Sequence, residues 1–176
     1  MTNYPAKKSD VKAANISFLI TLILVVSYSF YVQPLKDILG DEPYLDLKIG
    51  GYSYDLAIGF FERLGVQGRE MYMKTTLFDT IWPLAIAITA ILYSIQLFKG
   101  YKKSVAAFFP VAFGILDMVE NLGIFSMLYS YPSISPAQVE FTSIFTVTKQ
   151  ITIPGMVVMS ISLPIVQFVR KTKVEP

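Results

Sequence analysis

The run VAAFFPVAFGILDMVENLGIFSMLYSY, Val105–Tyr131, decides how this chain folds. It is apolar over more than the ~20 residues a helix needs to cross a bilayer. Yet it carries Asp117, Glu120 and Asn121 at its middle. Those positions are spaced i, i+3 and i+4, so a helix sets all three on one face. Ionisable groups at such depth are costly and call for a partner or a purpose. The partner the sequence offers is Lys149, inside the next apolar run.

Depth can be counted from the helical rise. Entering near Val105, Asp117 lies ~18 Å in and Glu120 ~22 Å in. If the following span enters from the opposite side near Phe141, Lys149 is ~12 Å down. In a hydrocarbon core ~30 Å thick, the acids and the ammonium then share one level.

Working outward, three further apolar stretches complete a four-span pattern: 13–33, 77–98 and 141–169 beside 105–131. The first follows a short basic start, and Ser27-Tyr28-Ser29 also fits a small-x-small signal-peptide cleavage site. The apolar character continues through Phe30, Tyr31 and Val32, which favours a retained span. The composition agrees, with 53% hydrophobic and 16% charged residues against roughly 25% charged in a soluble domain. The sequence therefore predicts an all-α membrane protein, a single four-helix bundle over residues 1–176.

The one sizeable polar segment is 34–76. Leu45, Leu47 and Ile49 alternate with Asp46 and Lys48 ahead of Gly50-Gly51, a hairpin signal. Ser53 can then cap an amphipathic helix through Leu64, with Gly65 as its stop and Gly68 opening the next helix. Lys and Arg fall at the N-terminus (Lys7, Lys8, Lys12), in the 99–103 turn and at the C-terminus (Arg170, Lys171, Lys173). By the positive-inside rule both termini are cytoplasmic and the 34–76 loop is extracytoplasmic.

With no cysteine, disulfides and thiolate metal sites are excluded, and with no histidine so are the commonest general base and metal ligand. No metal or cofactor motif is present. The net charge of +2 gives no footprint for nucleic acid. The expected partners are membrane lipids, a hydrophobic small molecule, and another copy or a membrane complex.

The candidate site follows from the polar centre. Asp117 and Glu120 would form an acid/base pair with Lys149 as electrostatic partner, while Asn121 and Asp79 orient a ligand. Thr146 and Thr152 continue the stripe of Lys149, and Tyr28, Tyr31 and Trp82 supply aromatic walls. Two carboxylates facing one ammonium suit proton coupling or general acid–base work. They equally suit a structural ion-pair cluster that fixes helix packing. Arg63 or Arg69 reaching in from the loop would cancel the excess acid. Gly114 and Gly123, flanking the stripe, allow a neighbouring helix to approach closely. The leading expectation is an outward-opening polar pocket for a lipid-like or small amphipathic ligand, with isomerisation, hydration or hydrolysis as conceivable chemistry. A proton-coupled transporter, a channel subunit and an assembly subunit are the alternatives.

Overall fold

The computed structural model describes residues 8–172, with side chains from 10 to 169. The basic side chains at the two ends, Lys7 and Lys8 and then Arg170, Lys171 and Lys173, lie outside the described ones. The elements are α1 (Lys8–Tyr31), α2 (Gln33–Leu39), a 3-10 turn (Leu45–Leu47), α3 (Tyr54–Asp79), α4 (Ile81–Leu97), α5 (Lys102–Ser130) and α6 (Pro136–Thr172). No strand occurs among the described residues. Four helical stretches, Asp10–Leu39, Tyr54–Leu97, Lys102–Ser130 and Pro136–Val169, are long and apolar enough to cross a membrane.

The polarity of the bundle is inverted relative to a soluble protein. Leu19, Ile88, Leu122 and Ile151 are more than half exposed, while Asp117, Glu120, Asn121, Thr142, Thr146 and Lys149 are buried. Polar groups face inward, where they can bond to one another, and apolar groups face out.

Close helix approach depends on two glycines of α5. A Cβ on Gly114 would lie 3.1 Å from the Pro83 carbonyl oxygen of α4, and one on Gly123 would collide with the Thr142 side chain of α6. Helix α5 accordingly packs tightly against both neighbours. Helix α1 packs on α4 but has few contacts with α6, leaving a groove between them floored by α4. Hydroxyl bonds fasten α1 to α4, with Thr89 Oγ1 lying 2.7 Å from Ser17 Oγ and 2.9 Å from Thr21 Oγ1.

The expected hairpin at 45–54 does not form. Ser53 accepts a hydrogen bond from Leu56 N and caps α3 at once, which leaves a single residue for a return strand. The Tyr52 N–H points instead to Ser143 Oγ of α6, at 2.8 Å. Gly50 and Gly51 both take positive φ, and a Cβ on Gly51 would strike Ser143. The segment therefore docks on α6 rather than pairing with itself. Gly65 breaks α3 at φ 61. The helix resumes there and not at Gly68, which is buried against Leu64. Asp79 and Thr80 mark the junction with α4, because Pro83 has no N–H to offer the Asp79 carbonyl.

A cap closes one end of the bundle. Phe60, Phe61, Leu35 and Leu45 are fully buried there with Ile124, Met127 and Val139. Each such side chain contributes about 1.5–3 kcal/mol of burial.

Candidate functional site

Helix α5 presents Asp117, Glu120 and Asn121 from one face to α6 and α4. Lys149 of α6 places Nζ 2.9 Å from Asp117 Oδ1 and in direct ion-pair contact with Glu120 Oε2. The pairing is dry: the side chains of Lys149, Asp117 and Glu120 are 5%, 2% and 0% exposed. Thr146, one turn before Lys149, donates its hydroxyl to Glu120 Oε1. Glu120 Oε2 is held by the ammonium as an ion pair and has no hydrogen-bond partner.

The α5 stripe then reaches α3 and α4. Asn121 Nδ2 donates to Asp117 Oδ2 at 2.9 Å and, at the outer limit of hydrogen bonding, to Asp79 Oδ2 at 3.5 Å. Trp82 Nε1 donates to Asp79 Oδ1 at 2.7 Å. An aromatic wall stands beside this carboxylate. Tyr28 stacks on Phe78 at 6.0 Å and meets Trp82 at 6.1 Å, and Trp82 meets Phe113 at 5.8 Å.

Two candidates lie further out. Tyr31 is 40% exposed and stacks on Phe78. Thr152 donates back to the Lys149 carbonyl and reaches none of the acids. Ser17 and Thr21 of α1 are engaged by Thr89 of α4.

The cap adds a fourth acid. Asp46, in the 3-10 turn, is 8% exposed, accepts from Tyr72 Oη at 3.3 Å, and lies within electrostatic reach of Asp79, Asp117, Glu120 and Lys149. Read as a strand, Leu45–Ile49 puts Asp46 beside Lys48 on a solvated face, so the pattern carried no sign of its burial. The tyrosines of the cap stay neutral. Burial, with the charge of Asp46, pushes the Tyr44 hydroxyl up to about 12, and burial raises that of Tyr52 as well.

Neither loop arginine neutralises this centre. Arg63 forms a two-pronged pair with Glu42, at 2.9 and 2.6 Å. Arg69 donates to the Phe61 carbonyl and lies 4.2 Å over the Tyr131 ring. The described interior therefore holds four buried carboxylates and one buried ammonium, which contacts Asp117 and Glu120. Among the described residues, Asp46 and Asp79 have no basic group within ion-pair distance. No group of acids among those residues has the arrangement of a metal site.

The groove between α1, α4 and α6 has a volume of about 700 Å³. From Trp82 to Tyr93 on its α4 floor it runs ~16 Å along the helix. Its lining is almost entirely apolar, with Phe18, Leu22, Ile86, Val157 and Phe168 among the walls. Trp82 belongs to both places. It lines the groove, and its indole nitrogen holds Asp79. The chain matches no family model, no curated protein and no solved structure.

Proposed function

We propose that this is a multi-pass membrane protein that binds a lipid-like or small amphipathic molecule, its chain in the α1–α4–α6 groove and its polar group at Asp79. The observation that carries this reading is the shared position of Trp82, which joins an apolar groove to a carboxylate lacking a counter-ion. Binding sites for such molecules are largely apolar with a few convergent polar groups, which is the chemistry assembled here. The basic 99–103 turn supports, by the positive-inside rule, a cytoplasmic side for that end of the bundle and both termini, and an outer side for the cap. Asp117, Glu120 and Lys149 then act as the anchored base of the site, and Asp79 faces the ligand.

An assembly role is favoured by a different observation: Lys149 engages both α5 acids directly and ties α5 to α6. The two readings separate by binding. Trp82 is the single tryptophan of the chain, so its fluorescence reports the site alone. In lipid vesicles holding no other protein, a single-chain amphiphile brominated at mid-chain, such as 6,7-dibromododecanol, should quench it saturably. Val157→Phe, which fills the groove from an exposed position, should remove the saturable component. Quenching that rises linearly with membrane loading in both proteins refutes the binding reading and leaves assembly.

A further inference from the structure

We infer that the molecule this site accepts carries a cationic, amine-type head group; the inference rests on the groove-and-carboxylate reading above and names its ligand class. The first ground is the charge inventory. Asp46, Asp79, Asp117 and Glu120 are all buried, and Lys149 is the one buried cation among the described residues. An isolated ion in a low-dielectric interior is strongly disfavoured, so each surplus acid takes up a proton or meets positive charge from outside the chain.

The second ground is independent of charge. Asn121 is 1% exposed, and its Oδ1 has no hydrogen-bond partner. The amide cannot be turned over to satisfy it, because Nδ2 already faces the carboxylates of Asp117 and Asp79. An oxygen in that place would meet two acceptors. Oδ1 is therefore an acceptor awaiting a donor, on the same amide that barely reaches Asp79 Oδ2. These two undersupplied oxygens belong to neighbouring groups, and an ammonium, with three N–H donors and no acceptor, matches them. An alcohol offers one donor, and a carboxylate offers none and adds like charge.

The third ground is the aromatic wall of Tyr28, Phe78, Trp82 and Phe113 beside Asp79. Aromatic faces next to a carboxylate are the recurring chemistry of ammonium recognition. The apolar groove beginning at Trp82 then takes the hydrocarbon.

The test compares three probes of one chain length brominated at carbons 6 and 7, dodecylamine, dodecanol and dodecanoate, by saturable quenching of Trp82 in lipid vesicles holding no other protein, at neutral pH. The amine should bind roughly 10- to 100-fold more tightly than the alcohol, the worth of hydrogen bonds to a charged group. The carboxylate should bind most weakly. Asp79→Asn, which keeps an acceptor for Trp82 Nε1, should bring amine and alcohol to within a few-fold. Equal saturable binding of all three probes to the wild-type chain overturns the inference while the groove reading stands. Absence of saturable quenching by any probe overturns both. The head-group series is read on the wild-type chain, so its outcome does not depend on a variant folding.

Discussion

Removing the ammonium of Lys149 while leaving its two carboxylates in place is the sharpest perturbation of this interior. At 2.9 Å from Asp117 Oδ1, a unit-charge pair is worth about 6 kcal/mol in gross Coulomb energy at an effective dielectric near 20. Glu120 adds a second contact of that kind. Desolvation of all three ions offsets most of the sum, so the cluster contributes little net stability over an apolar replacement. Breaking it is another matter. Lys149→Met strands two acids that are 2% and 0% exposed, at a cost of about 3–5 kcal/mol. For a chain of this length that lowers the unfolding midpoint by roughly 6–20 °C. Lys149→Met with Glu120→Gln should recover part of the loss. The triple Asp117→Asn, Glu120→Gln, Lys149→Met should return close to the wild type. Helix loss followed by circular dichroism in detergent gives the midpoints, with Lys102→Met, an exposed lysine, as control. A Lys149→Met midpoint equal to that of the control refutes the reasoning. So does a triple variant whose loss equals the sum of the three single losses, because coupled sites cannot be additive.

Two further outcomes follow from the packing and the cap. Gly123→Ala should destabilise by about 1–3 kcal/mol, since its methyl runs into the buried Thr142 side chain; an unchanged midpoint would mean that α5 and α6 are not held this closely. Burial pushes the Glu42 carboxyl up, but hydrogen bonds and charge from Arg63 and Lys48 outweigh it and hold it below its ordinary value. A depressed folded value stabilises above the unfolded carboxyl range and is lost as pH falls through the folded value. Wild type and Glu42→Gln should therefore differ by at most about 1 kcal/mol at neutral pH. Their difference should start to shrink near the unfolded glutamate value of ~4.3 and vanish below the lower folded value, and a difference that widens on acidification contradicts the assignment.

The meeting of Asp117, Glu120 and Lys149 was legible because two independent features agree on it. Helical spacing puts the acids on one face, and counting rise from opposite ends of two adjacent spans brings the ammonium to the same level. Both are properties of single helices, which depend on local periodicity. Asp46 and the groove depend on tertiary choices instead. The alternation of Leu45–Ile49 has the period of a strand, but Ser53 starts a helix too soon for a partner strand to exist. The turn then has to seek bonds on α6, and in doing so it rolls Asp46 inward. The groove likewise arises from a spacing between helices rather than a pattern within one. Thr89 draws Ser17 and Thr21 toward α4, while Gly114 and Gly123 draw α4 and α6 tightly onto α5. Helix α1 is thereby committed to one neighbour and kept from the other. A hydroxyl on α1 facing α4 costs the interior nothing, because Thr89 answers it. A carboxylate at Asp79 answered only by an indole and a distant amide does impose a cost. That difference is why the hydroxyl cluster reads as fastening and the acid at the head of the groove reads as a place for a ligand.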